Sequence, residues 1–345
     1  MSGKWSLSSV SSSFVPVAVF TIALTYVLIS VGAIVRVSGA GMGCPDWPRC
    51  FGLLIPPLSV DQLPPLGTYA YPKGWTVESF DPLMTWIEFL NRLLGMVVGF
   101  AILGTLVSAL RSHRRRPGVM WPVVGAFVGV LYAAWLGGRV VAHELAPWIV
   151  TVHLLSAIAV VSLLIVAAVN ATTSAAANTP GTPGTPGTPG TPGTQGTQGT
   201  LVARSAWAVV GLGLVQGTLG TQVRGLLEDI ARSHAEWGRG DWIDSVGLMD
   251  TLHRSAAVVV VAGVIALAFL ARTRLQGQVA VNRAASAAVA LVVLQMVIGV
   301  VLAEASLPRV AQVLHLLVGA LLVGALTTTA MFARAAPLQS DAAAG

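Results

Sequence analysis

Eight long apolar runs, each close to twenty residues and nearly free of charge, constrain this chain more than anything else in it. They are Phe14 to Val35, Trp86 to Leu110, Met120 to Val141, Trp148 to Val169, Ala206 to Val223, Thr251 to Ala271, Ala284 to Ala303 and Val310 to Ala330. About twenty apolar residues in a helix cross the hydrocarbon core of a bilayer. A helix in water needs a polar face, and most of these runs have none. Charged residues make up 10% of the chain, where soluble domains carry roughly 25%. The expectation is an all-α membrane protein with eight transmembrane helices. The first run is too long for a signal peptide, and Val35-Arg36-Val37-Ser38-Gly39 offers no small-x-small cleavage site beside it, so it reads as a retained helix.

The formal net charge of +6 invites a nucleic-acid reading, but its distribution points to topology instead. Loops between even and odd runs carry the dense basic stretches: Arg111, Arg114, Arg115 and Arg116, then Arg272, Arg274 and Arg283. With Lys4, Arg204 and Arg334 that side holds about ten of the 20 basic residues and essentially one acid, Asp341. Nearly all other acids lie on the opposite side, among them Asp46, Glu78, Asp81, Glu144, Glu228, Asp229, Glu236 and Asp241. The positive-inside rule then places both termini in the cytoplasm, in a multi-pass protein of the cell (inner) membrane, surrounded by lipid and without nucleic acid. The first, third, fifth and seventh loops face outward. Both cysteines, Cys44 and Cys50, lie in the first of these. An oxidising compartment permits a disulfide there, and the spacing alone leaves a structural staple and a redox-active pair equally open.

A Gly-Thr-Pro tract drifting into Gly-Thr-Gln, residues 178–200, cannot build a core and reads as a flexible or partly extended cytoplasmic linker. It separates two blocks, residues 1–177 and 201–345, that match each other. Glu88-Phe-Leu-Asn91-Arg92 and Asp250-Thr-Leu-His253-Arg254 each open an apolar run, at an offset of 162 residues. The same offset carries His153-Leu-Leu onto His315-Leu-Leu and Gly137 onto Gly299. Gly32-Ala-Ile-Val-Arg36 matches Gly220-Thr-Gln-Val-Arg224 at an offset of 188, the extra 26 residues falling in the longer, cysteine-bearing first loop. Each half has an even number of runs, so the repeats are parallel, related by an axis along the membrane normal. The expected architecture is therefore two parallel-repeat four-helix bundles.

Ionisable residues inside a membrane are costly and usually functional. His153, His253, His315, Glu88 and Asn91 all fall early in a helix entering from the outward side, so they share one depth. A lone histidine there is more often an interfacial side chain than a ligand, but His253 and His315 come from the second and fourth helices of the second half. Two imidazoles facing each other across a bundle can hold the iron of a b-type haem. Arg254 and Arg92, next to His253 and Asn91, suit its propionates. In the first half the pair is Asn91 and His153, and Asn is a poor iron ligand. That half keeps Glu88 one turn before Asn91, where a carboxylate could act as base or stabilise developing positive charge. Glu88 could equally pair with Arg92 on the same helix face. His113, in a basic run, reads as solvated, and His143 and His234 as loop residues.

Gly32-Ala-Ile-Val-Arg36-Val-Ser-Gly-Ala-Gly-Met-Gly-Cys44-Pro-Asp-Trp-Pro-Arg-Cys50-Phe-Gly, Glu88-x-x-Asn91-Arg92, His153, His253-Arg254 and His315 together resemble the haem A synthase family. The cysteine segment is the most specific part. The resemblance implies oxidation of a ring methyl of haem O to a formyl group, giving haem A for cytochrome oxidase. It implies haem b on His253 and His315, substrate haem O near Glu88, Asn91, Arg92 and His153, and an outward disulfide between Cys44 and Cys50. A haem O synthase and the cytochrome oxidase assembly apparatus are the implied partners, and a homo-oligomer is left open. Asn91 departs from the family, where many members carry His, so His153 is expected to be the one protein ligand of the substrate iron. Two other readings compete: a bis-His haem b electron-transfer protein without porphyrin chemistry, and a transporter using the histidines and Glu88 as a path. Broken helices would favour the transporter, and no mid-run proline suggests one.

Overall fold

The computed structural model describes residues 14–65, 67–72, 75–177 and 192–344. Lys4 and linker residues 178–191 lie outside them. The described chain forms α1 (Phe14–Ser38), α2 (Pro82–Ser112), α3 (Pro117–Ala142), α4 (Pro147–Ala177), α5 (Pro192–Ser233), a short α6 (Arg239–Ser245), α7 (Leu248–Arg274), α8 (Val279–Glu304) and α9 (Arg309–Ala344). Eight of these, all but α6, are long and apolar enough to span a membrane, and each contains one of the expected runs. In hydrocarbon a backbone N–H or C=O has no water to bond, so an apolar run of this length closes its hydrogen bonds within itself as a helix.

Proline marks several starts. α2 and α3 carry it in their first turn, and α4 and α5 begin with Pro147 and Pro192. Its missing N–H and fixed φ are harmless at a helix's first position. Asp81 caps α2, its carboxylate accepting the N–H groups of Leu83 and Met84 at 2.8 and 3.2 Å. The linker expected over residues 178–200 is shortened, because its last nine residues, from Pro192 on, already belong to α5. Pro192 is the last proline of the tract, and once Gln replaces Pro nothing bars helical backbone. α5 also outruns its expected end at Val223 and continues to Ser233.

The helices pack as two matching rings. In the first, α1 meets α2 and α4, and α3 lies against α2 and α4; in the second, α5 meets α7 and α9, and α8 lies against α7 and α9. Between the rings α4 packs on α9, and α1–α9 and α4–α5 make equivalent contacts. The expected pseudo-two-fold predicts this pattern, with α4 and α9 nearest the axis. They are also the most buried spans, at 39% and 44% of their apolar windows, against 22% for α2, α3 and α8. Ile165 and Val169 of α4, Met331 of α9 and Tyr26 of α1 fill the seam. Phe20, Phe100, Trp121, Phe269 and Val300 point outward and are exposed, as a surface facing lipid requires.

The bundle has two ends. One carries the 113–116 turn with its arginines and the 275–278 turn flanked by Arg272, Arg274 and Arg283, and the other carries the cysteine loop and the turns after α3, α5 and α8. His113, expected to be solvated, is 4% exposed. Its ring lies 4.8 Å from that of Phe14, and its Nδ1 is 2.7 Å from Ser112 Oγ. The start of α1 covers it, a contact across about a hundred residues that a local reading of a basic run cannot anticipate.

Candidate functional site

At the cysteine end, four equivalent positions repeat one arrangement. Each is a polar side chain on one helix, seated against a glycine of a neighbouring helix. A Cβ on Gly32 of α1 would stand 3.9 Å from Asn91 Oδ1, and one on Gly137 of α3 would stand 3.7 Å from His153 Cε1. A Cβ on Gly220 of α5 would stand 3.0 Å from His253 Cε1, and one on Gly299 of α8 would stand 3.5 Å from His315 Cε1. The glycines that mark the repeat in sequence are thus the floors on which these four side chains rest. The tightest seat yields an expected result: Gly220→Ala, with its methyl against the ring, displaces His253. The optical spectrum of any metal held there should change, while helical content by circular dichroism stays that of the parent.

The His253 and His315 rings face each other with centres 6.5 Å apart. A metal between two imidazoles, bonded to each at about 2 Å, sets ring centres about 6 Å apart, so the gap fits one metal ion. Among the described residues no group of three or more His, Cys, Asp or Glu is arranged to hold a metal. Two axial imidazoles complete a metal's coordination only where a planar macrocycle supplies the rest. The Nδ1 atom of His315 is buried without a hydrogen-bond partner.

Two glutamines distinguish the halves, and the sequence reading missed them. Gln216 Nε2 sits 3.1 Å from His253 Nδ1 and donates to the His253 carbonyl at 2.9 Å, leaving Nε2 of the ring for the gap. Gln295 of α8 packs beside α9 one turn past His315, its Nε2 3.3 Å from where a Gly319 Cβ would stand, and its buried Oε1 is unpartnered. Each glutamine lies four residues before a ring-seating glycine, Gly220 and Gly299. The equivalent residues of the first half are Leu28 and Ala133. The repeat offsets would have exposed this difference. A polar neighbour on the far nitrogen fixes a ligand's tautomer and orientation, and Gln216 is such a neighbour for His253.

In the first half the cysteine loop closes over α2. Cys44 and Cys50 form a disulfide, both fully buried beneath Phe51, Tyr69, Tyr71, Trp75, Phe80 and Phe89. The Cys44 N–H donates to Glu88 Oε2 at 2.8 Å, and Thr85 Oγ1 donates to the Gly43 carbonyl at 2.9 Å. Only glycine fits at residue 43, since a Cβ would lie 2.6 Å from the Met84 carbonyl oxygen. Glu88 is 3% exposed and pairs with Arg92, as their spacing allowed. Arg92 itself departs from expectation. Besides Glu88, its guanidinium donates to the carbonyls of Asp46 at 2.7 Å, Arg49 at 2.9 Å and Cys44 at 3.3 Å. It pins the loop rather than facing a gap. Arg254 pairs with Asp250 at 2.6 Å and is half exposed. His143 contacts Arg139, and His234 stacks on Trp237, both in the turns where they were expected.

Fold and site together define a polytopic helical membrane protein with paired, partly buried histidines at one end. The chain belongs to the cytochrome oxidase assembly protein family, whose model matches residues 16–327. It is similar to the Heme A synthase of Shewanella oneidensis, 28% identical over 42% of this chain and 42% of that one. It is also similar to that of Rhizorhabdus wittichii, 25% identical over 41% and 44%, and to that of Geobacillus kaustophilus, 24% identical over 37% and 33%. The chain spans less than half the length of the curated relatives it matches. The family is the one the cysteine-loop resemblance pointed to.

Proposed function

We propose that this chain is a haem A synthase, an oxidoreductase that converts the ring methyl of haem O to a formyl group for cytochrome oxidase. The observation that carries the reading is the inequality of two otherwise matching sites. The second half keeps both histidines, 6.5 Å apart and with a glutamine beside each helix pair. It is read as the resident haem b site, with His253 and His315 as axial ligands. The first half has Asn91 and His153 at the equivalent positions and adds Glu88. It is read as the place where haem O is worked on, its iron held by His153. Haem, when bound, supplies the redox chemistry of its iron.

The chain's own residues do the rest. Asn91 presents an amide where its counterpart presents an imidazole, so the first-half site holds its occupant less firmly and can release a product. Glu88 stands one turn from Asn91, buried beneath the disulfide loop and bonded to it through the Cys44 N–H. In such a site a fixed carboxylate accepts a proton from the reacting carbon, or stabilises positive charge developing on it, with no solvent to reorganise. Arg92 and the Cys44 N–H hold that carboxylate in one orientation. The arginine-rich end is read as cytoplasmic by the positive-inside rule, which puts both sites near the outer face of the cell membrane. A haem O synthase as the source of substrate and the cytochrome oxidase assembly apparatus as its destination follow from the same reading.

Extraction of haems from cells that express this chain with a haem O synthase tests the proposal. Haem A is expected in the extract. If haem O accumulates unchanged while the purified chain still carries a low-spin b-type spectrum, the protein is an electron-transfer protein and the enzyme reading is wrong.

A further inference from the structure

The repeat-matched arginines Arg36 and Arg224, outside every role considered so far, converge on one carboxylate. Arg36 donates to both oxygens of Glu228, from Nε at 3.0 Å and Nη2 at 2.7 Å. Arg224 Nε donates to the same Glu228 at 2.8 Å. The three side chains are partly buried, at 16%, 31% and 22% exposure for Arg36, Arg224 and Glu228. Two guanidiniums share one carboxylate, so the cluster keeps a net positive charge that its own members do not neutralise. Among the described hydrogen bonds, Arg36 Nη1 and Arg224 Nη2 make none.

Their placement says what that charge faces. Arg224 lies four residues after Gly220, on the same face of α5 and one turn nearer the cysteine end. Gly220 is the seat of His253. Arg224 Nη1 also donates at 2.6 Å to Oε1 of Gln312, which lies one turn before His315 on α9. The guanidinium therefore bridges α5 and α9, one turn nearer the cysteine end than the Gly220 seat of His253 and than His315. By the repeat, Arg36 stands one turn above Gly32, the seat of Asn91. Each site thus has an arginine at its mouth, and Glu228 ties the two mouths together across the seam. Arg92, by contrast, is committed to loop carbonyls.

We propose that Arg36, Arg224 and Glu228 form a carboxylate-binding station between the two sites. Arg224 takes a propionate of the porphyrin held by His253 and His315, and Arg36 serves the first-half site in the same way. A charged, forked donor matches a carboxylate, and one such pair changes affinity by about tenfold or more. Because Glu228 competes for the same donors, its removal strengthens the station. The proposal rests on reading the histidine pair as a haem site, and the experiment separates the two.

Full-length protein, purified haem-free in detergent, is titrated with haemin and with haemin dimethyl ester, which lacks the propionate charges. The native chain is expected to prefer haemin by about tenfold or more. Arg224→Gln should lose that preference and lower the reduction potential of the bound haem, Arg224→Lys should keep part of the preference, and Glu228→Gln should raise both preference and potential. Opposite shifts from the arginine and glutamate variants are a signature that simple loosening of the seam does not give. If Arg224→Gln keeps the native preference and potential while His253→Ala abolishes binding, the station is refuted and the haem site stands. If the native chain binds neither porphyrin, the haem reading itself fails.

Discussion

Purified His315→Ala protein should retain less than a tenth of the parent's haem and show no low-spin b-type spectrum, and His253→Ala should behave alike. The gap between the two rings fits one metal with an imidazole on either face. Loss of one ligand leaves a single axial bond, too little to hold a macrocycle through detergent extraction. Misfolding is separable from ligand loss at His315. Its Nδ1 is buried with no hydrogen-bond partner, so truncation orphans no polar group and should cost stability only through the lost packing of the ring. Thermal unfolding followed by circular dichroism checks this point, and added imidazole should restore part of the spectrum. His153→Ala provides the contrast. It belongs to the other half and should leave the b-type spectrum in place while haem A yield drops. A His315→Ala protein with an unchanged low-spin spectrum would end the assignment of the second half.

Glu88→Gln should fold, form the Cys44–Cys50 disulfide and bind haem b, yet yield about a hundredfold less haem A, with haem O or the intermediate alcohol in its place. A positioned acid or base contributes about a hundredfold or more, and glutamine keeps the shape of Glu88 while removing its charge and one of the two oxygens that accept from Cys44 and Arg92. Its amide oxygen can still accept the Cys44 N–H that Glu88 accepts at 2.8 Å. Glu88→Ala adds a structural loss, since it removes both acceptors at once and leaves the Cys44 N–H and Arg92, 13% exposed, with no partner at residue 88. A buried charge stripped of its partner costs about 3 kcal/mol or more, and the loop that Arg92 pins should then become sensitive to proteolysis. Comparison of the two variants by haem extraction and limited proteolysis divides chemistry from scaffolding. Native haem A yield from Glu88→Gln would reduce the carboxylate to a scaffold.

The helices were legible because a bilayer leaves an apolar run of twenty residues little choice. Each expected run lies inside a helix, and disagreement is confined to the ends, as at Pro192–Thr200, where polar sequence continues a helix nucleated in the membrane. The equivalences were legible too. Gly32 with Gly220, Gly137 with Gly299, and His153 with His315 could be paired by offset alone. What those glycines do was not legible. An offset says that two positions correspond, but not which side chain lies against either. Gln216 and Gln295 escaped notice for a related reason. Glutamine in an apolar run is unremarkable until a histidine is found beside it or a buried oxygen is found without a partner.

From its sequence alone this chain is determined to be a helical membrane protein of eight spans, its two halves carrying matching motifs at fixed offsets. Hydropathy and helical period are local quantities, and in hydrocarbon they override most else. Tertiary structure decided the partners. It turned Arg92 onto three loop carbonyls, buried His113 under Phe14, and brought Arg36 across the seam onto Glu228, which pairs with Arg224 on its own helix. Arg36 and Glu228 are 192 residues apart. No periodicity reaches that far, and only the packing of one ring against the other places those charges together.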